Sequence, residues 1–253
     1  MKYRNVTDGA DALRTYVKNL PPKKYEAISP SSLGGCMRVH YWKLQGIEPT
    51  TPPNYGALVN FQIGFLWEQL LAKAFEKQGN LVKWFEDGVD KPFYDEKTGL
   101  GGLPDMIITK EGKQVVLDSK TVNSAYFRYA KTKGMAKWVD DNMNYVYQQV
   151  AYVHLARLAG YDVDSAILTF ASKDDGYIGL EFEVEVTDEL LDKVLSRAKR
   201  LQRYINEKEL PPCSCEGWKI GYCGYGNPAT REPNKKKKEV NTECCELRFL
   251  KEN

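Results

Sequence analysis

Histidine is nearly absent from this chain. His40 and His154 are the only two in 253 residues, too few for an imidazole-based metal centre or a nucleophile–histidine–acid triad. Both fall in stretches that read as helix, where a packed or surface role suits them. Long apolar runs are missing as well. Nothing approaches the ~18 residues that a membrane span needs, and the opening stretch MKYRNVTDGADALRTY has no signal-peptide core. Membrane insertion is excluded on that reading, and a cytoplasmic protein is expected. Charge of one sign is also lacking: 36 Lys and Arg against 34 Asp and Glu leave a net +2. That balance argues against non-specific coating of nucleic acid but permits a local basic groove. Finally, the six cysteines are not spaced like a disulfide framework. Cys36 stands alone, and Cys213, Cys215, Cys223, Cys244 and Cys245 crowd the other end, a distribution that in a reducing compartment points to metal ligation.

What is present describes one globular domain over residues 1–253, with 42% hydrophobic and 28% charged residues. The first twenty residues read as a helix ending at Leu20-Pro21-Pro22. Ser31 or Ser32 caps a second, which carries Cys36 and stops near Gly46. After the proline-rich TTPPNYG, FQIGFLWEQLLAKAFEKQGN predicts a strong amphipathic helix with Phe61, Phe65, Leu66, Leu70 and Phe75 near helical spacing and Glu68 in its middle. From Leu81 to Val122 the pattern turns to short β-rich runs: LVKWF, KPFYD, LPDMIIT and QVVLDSKTV. The tight turn at Lys110–Lys113 makes the last two an antiparallel hairpin. A polar, aromatic stretch leads into a long helix from about Met135 to Ala159. Two further strands, VDSAILTFAS and YIGLEFEVEV, and a helix capped by Thr187 complete the core. This order predicts an α/β sandwich around a mixed sheet flanked by helices. The core covers about 55–210, with 29–46 and 211–250 forming the cysteine-bearing ends.

The stretch GGLPDMIITKEGKQVVLDSKTV, 101–122, carries the chemistry. Strand side chains alternate, so Asp118 and Lys120 share a face, and the hairpin brings Asp105 alongside. Charges inside a sheet are costly unless paired or bound to metal. A solvated sheet edge with a surface Asp–Lys pair is the bland alternative. Two carboxylates with a backbone carbonyl instead make an all-oxygen site for Mg²⁺ or Mn²⁺, and a lysine beside it suits phosphodiester hydrolysis. The segment Tyr126, Phe127, Arg128, Tyr129, Lys131 and Lys133 reads either as helix packing or as a stacking, phosphate-contacting wall for single-stranded DNA. Lys235–Lys238 reads as a solvated loop or a phosphate contact.

Gly101-x-x-Pro104-Asp105 followed by Asp118-x-Lys120 resembles the signature of the PD-(D/E)XK nuclease superfamily. Gly64-x-x-x-Glu68 on the preceding helix resembles that family's first motif, with Glu where many RecB-like members carry His. Gln148-x-x-x-Tyr152 resembles the QxxxY motif of the RecB-like branch. The cysteine distribution is similar to that of RecB-like exonucleases with a four-cysteine iron–sulfur cluster, such as the AddB-type and CRISPR-associated nucleases, although Ile220 stands where a further cysteine is common. The resemblance implies that Glu68, Asp105, Asp118 and the Ser119 carbonyl ligate Mg²⁺ or Mn²⁺ and that Lys120 positions the attacking water. It implies that Gln148 and Tyr152 hold substrate. Cys36, Cys215, Cys223 and one of Cys244 and Cys245 would hold a [4Fe–4S] cluster, with structural Zn²⁺ as the alternative and Cys213 as the spare. It further implies a DNA exonuclease of recombination, phage DNA processing or CRISPR adaptation, in a bacterial, archaeal or phage-infected cell. Homo-oligomers and partner proteins of recombination or CRISPR adaptation fit that resemblance. A structure-specific endonuclease and a non-catalytic nucleic-acid-binding scaffold are the alternative readings.

Overall fold

The computed structural model describes residues 7–21, 24–86, 88–174, 176, 178–214 and 223–225. Helix α1 (Asp8–Lys18) is followed by a short 3-10 turn, Pro30–Ser32, then α2 (Met37–Leu44) and the long α3 (Tyr55–Gln78). The proline-rich stretch ends sooner than its composition indicates. Asn54 accepts a hydrogen bond from the Ala57 N–H at 2.9 Å, starting α3 six residues ahead of Phe61. Gly79, in the left-handed conformation at φ 73°, ends it.

Among the described residues there are seven strands; six fall in the β-rich runs, and β3 falls in none of them. Strands β1 (Leu81–Trp84), β4 (Met106–Lys110), β5 (Lys113–Val122), β6 (Val163–Ser172) and β7 (Ile178–Glu185) form one sheet in the order β1-β4-β5-β6-β7. β2 (Phe93–Asp95) and β3 (Leu100–Gly102) pair apart from it as a hairpin of their own. All neighbours in the main sheet are antiparallel except β5 and β6, which run parallel. A parallel pair needs a crossover. Here it consists of α4 (Ser124–Lys133), α5 (Met135–Asp141) and α6 (Met143–Leu158). The aromatic segment is therefore a helix, and the expected long helix is broken at Asn142, whose side chain donates to the Trp138 carbonyl.

The sheet is covered on both faces. Ile107, Val116 and Ala166 pack against Tyr152, Val153 and Ala156 of α6. On the other face Met106, Ile108, Val115 and Leu117 pack against Leu71, Ala72 and Phe75 of α3. The packed face of α3 is thus not its most apolar stripe, since Leu66 and Leu70 are exposed. Helix α7 (Asp188–Glu207), capped by Thr187, closes a further core against α6 and α2 through Val194, Ala198 and Leu201. The architecture is a five-stranded mixed sheet flanked by helices, as the element order predicts.

The segment 36–51 meets residues 211–214 and 223–225. The Arg38 guanidinium donates to the Pro211 carbonyl at 2.7 Å, and the Ser214 N–H points to the Cys36 sulfur at 3.5 Å. Thr51 N–H donates to the Gly224 carbonyl, Tyr225 Oη donates to the Ile47 carbonyl, and the Tyr225 ring lies 5.1 Å from Trp42. Cys223 is buried in the core that Cys213 also lines. Cys215, Cys244, Cys245 and the lysine run 235–238 lie outside the described residues. Among the described residues, no helix is long and apolar enough to cross a membrane.

Candidate active site

β4 and β5 pair only as far as Met106 and Leu117. β5 then continues five residues past its partner, to Val122, and the sheet has a notch beside it. Asp105, the residue just before β4, fills the notch: its Oδ2 accepts the Ser119 N–H at 2.7 Å, extending the ladder with a side chain. A strand residue that pairs with a neighbour uses its N–H and C=O on the same side. The Ser119 carbonyl accordingly opens on the notch too.

Alternation along β5 does the rest. Val116 faces α6, so Asp118 and Lys120 face α6 as well. Asp118 is fully buried; Lys120 Nζ lies 2.5 Å from its Oδ2, and Gln148 Nε2 donates to its Oδ1 at 3.2 Å. The Gln148 amide also reaches Tyr152 Oη at 3.5 Å, one helical turn on. Five of the residues singled out from the sequence, Asp105, Asp118, Lys120, Gln148 and Tyr152, therefore lie around one notch. Glu68 stands on α3, on the opposite face of the sheet, and its charge is felt by Asp105. Among the described residues, no three His, Cys, Asp or Glu side chains converge tightly enough to hold a metal ion without adjustment.

The electrostatics are those of a carboxylate site short of positive charge. Burial raises the Asp105 pKa well above the ordinary carboxylate range, and Asp118 and Glu68 push it further up against the opposing Lys120 and the Ser119 N–H. Burial pulls Lys120 down, but Asp118 and Asp105 outweigh it and keep the ammonium more firmly protonated than an ordinary lysine. Burial, then the charge of Asp118, raises the Tyr152 phenol and keeps it neutral. A divalent cation at the notch would relieve the repulsion that Asp105 suffers. Its hard oxygen donors, Asp105, Asp118 and the Ser119 carbonyl, suit Mg²⁺ or Mn²⁺.

Two residues near the site carry no signal in the motifs. Tyr145, one turn before Gln148, has its phenol raised by burial and lies within electrostatic reach of Lys120 and Asp118. Phe61 is two turns before Glu68. Conversely, much of the aromatic segment is packing: Tyr126 stacks on Phe170 at 5.5 Å and meets Trp138 edge-on at 5.8 Å, and Phe127 packs with them. Only Tyr129 of its rings is exposed, with its hydroxyl donating to Asp141.

No sequence-family profile matches the chain, and no curated protein is similar to it in sequence. Solved structures are similar in fold. The alkaline exonuclease LHK-Exo from Laribacter hongkongensis superposes with a TM-score of 0.50 at 13% identity, over 73% of this chain and 90% of that one. Its complex with dAMP gives 0.51 over the same shares. SSO0001 superposes with a TM-score of 0.51 at 19% identity, over 91% of this chain and 98% of its own. The mixed, helix-flanked sheet of this chain is thus a fold that an exonuclease uses.

Proposed function

We propose that this chain is a metal-dependent deoxyribonuclease of the PD-(D/E)XK type, in its RecB-like branch, removing nucleotides from DNA ends. The observation that carries the reading is the notch itself. Two carboxylates, Asp105 on the Ser119 N–H and buried Asp118 on Lys120 and Gln148, meet a lysine kept charged and a backbone edge left open by the neighbouring strand, and burial, then the charge of Asp118, disfavours ionisation of Asp105. Such an arrangement is costly for stability alone and suits a site that takes up a cation and a phosphate. The similarity in fold to an alkaline exonuclease, one crystallised with dAMP, supports DNA as the substrate.

When bound, Mg²⁺ or Mn²⁺ supplies a water of lowered pKa and neutralises charge developing on the phosphate. Asp105, Asp118 and the Ser119 carbonyl present the oxygens that hold it, with Glu68 contributing from the far face. Gln148 fixes Asp118 by its amide, and Lys120 orients the attacking water or meets a phosphate oxygen. Tyr152, neutral beside Gln148, offers a hydroxyl to the substrate. The reading extends to the chain ends, where Cys36, Cys215, Cys223 and one of Cys244 and Cys245 would hold a [4Fe–4S] cluster, or zinc in its place. What supports that extension is that the segments carrying Cys36 and Cys223 are already joined by hydrogen bonds and ring contacts. Elemental analysis of protein purified without oxygen distinguishes the two.

The test compares wild type with Asp118→Ala on end-labelled linear single strands and closed circles, with Mn²⁺, Mg²⁺ or EDTA. Metal-dependent loss of label from linear DNA only, absent in the variant, is the expected result. Binding without cleavage under any metal would replace the enzyme with a scaffold, and equal cutting of circles would make it an endonuclease.

A further inference from the structure

The site face of α3 carries a residue that neither the motifs nor the notch uses. Seven residues separate Phe61 from Glu68, and seven steps of 100° bring the two side chains to within about 20° of one direction, roughly 10 Å apart along the axis. Phe61 is therefore on the face of α3 turned to the sheet. Yet it is 61% exposed. The reason is length: a Cβ on Gly64 would lie 3.6 Å from Thr121 Oγ1, and β5 ends one residue later, at Val122. The next turn of α3 toward its N-terminus, about 4.5 Å further on, overhangs the end of the strand that carries Asp118 and Lys120. The ring of Phe61 projects into open space there.

Two cations and one acid stand at that end of the sheet. Lys173 N–H donates to the Val122 carbonyl, and Lys173 and Arg128 both act electrostatically on Asp174, whose carboxylate holds the Ser124 N–H. Exposed apolar residues are common singly and mean little by themselves. An exposed aromatic ring in phase with a site acid, overhanging the strand of the proposed reacting groups at the end of the sheet where Lys173 also lies, suits the holding of unpaired nucleic acid, with a flat ring for a base.

We propose that Phe61 is a stacking platform for an unpaired nucleobase close to the phosphate that is cut, and so determines a preference for single-stranded ends. The proposal rests on the nuclease reading above. The ring holds one base, the backbone turns into the notch, and a paired end has to open before its base reaches Phe61. Glu68 and Phe61, two turns apart on one rigid helix, then fix the distance between the stacked base and the site.

The test measures binding by fluorescence anisotropy, in the Asp118→Asn background so that the strand is not cut, using single-stranded oligonucleotides with one abasic position moved stepwise from each end. One position is expected to weaken binding about 10-fold, and Phe61→Ala to weaken binding of the intact strand similarly. Combined, the two should cost no more than either alone, because they remove the same contact. Phe61→Trp should restore binding, whereas Phe61→Leu, apolar but without a flat ring, should not. Equal abasic penalties in Phe61→Ala and its parent would overturn the proposal while leaving the nuclease reading intact. No binding of any oligonucleotide by the Asp118→Asn parent would defeat the nuclease reading first. A change of oligomeric state in Phe61→Ala, with strand binding unaltered, would assign the ring to a protein contact and also overturn the proposal. At 61% exposure the substitution removes little packing, and an unchanged melting temperature confirms a folded variant.

Discussion

Two chemically identical substitutions should move the stability of this protein in opposite directions. Asp105→Asn removes a charge that burial, Asp118 and Glu68 all disfavour, while leaving an oxygen to accept the Ser119 N–H. Relief of repulsion there, less the difference between a charged and a neutral acceptor, should stabilise the metal-free protein by about 1 kcal/mol. Asp118→Asn removes the charge that Lys120 Nζ meets at 2.5 Å. Breaking a buried pair costs ~3–5 kcal/mol. Because Lys120 is 25% exposed and keeps Asp105 beside it, a loss of about 2 kcal/mol is the better expectation. The separation of about 3 kcal/mol corresponds to about 6–12 °C in melting temperature for a domain of this size. Both variants should be inactive. The measurement is thermal unfolding in EDTA across pH. Asp105 has a raised pKa in the folded state, so its ionisation lowers wild-type stability as pH rises from about 4, its unfolded value, through the folded one. In Asp105→Asn that fall should vanish. Equal destabilisation by both substitutions, or an unchanged pH slope, would refute the account of the notch as a site of unrelieved negative charge.

Other consequences can be checked separately. Lys120→Met should lower the cleavage rate about 100-fold with little change in strand affinity, measured by single-turnover kinetics. Because its folded pKa is raised, the stability that Lys120 contributes should persist below its unfolded value, about 10.4, and be lost only as pH rises through the folded value. Asp95 is the opposite case. Burial works against its ionised form, but the Thr98 hydroxyl at 2.6 Å, His154 at 3.0 Å and the Lys97 N–H hold its pKa below the usual range. Its contribution should be present above about pH 4 and lost as pH falls through the folded value, and Asp95→Ala should cost about 2 kcal/mol, with amide exchange accelerated first in the β2–β3 hairpin. Gly34→Ala drives a methyl into the Asn144 backbone at the start of α6. It should cost about 3 kcal/mol and reduce cleavage by displacing Gln148.

The sheet and the Asp105–Asp118–Lys120 grouping were legible because both rest on local pattern: period-two alternation, a four-residue turn and charges placed within apolar runs. β2 was read as one of a run of adjacent strands and β3 was not foreseen, because strand propensity does not say which partner a strand takes and a three-residue Leu-Gly-Gly strand carries little of it. Asn54 was hidden by its prolines, though Pro52 and Pro53 merely precede a good cap. The apolar stripe of α3 misled for a physical reason. Burial there follows the small residues, Gly64 and Ala72, which let the helix approach the sheet, whereas Leu66 and Leu70 stay outside. The notch was not readable at all, since it arises from the unequal lengths of β4 and β5, and with it went the overhang of Phe61.

The parallel pairing of β5 with β6 also governs, under the proposed function, when the chain could first act on DNA. Asp118 and Lys120 are aligned beside Leu168 and Phe170, and Gln148, which fixes Asp118, lies on the crossover between the two strands. A chain still being made at the ribosome holds its acids and lysine on a strand with an open edge until residues 163–172 have emerged and folded back. Fragments released before that point carry all the proposed reacting groups yet no assembled centre, so if the chain is the nuclease proposed above, premature termination would yield inert peptides.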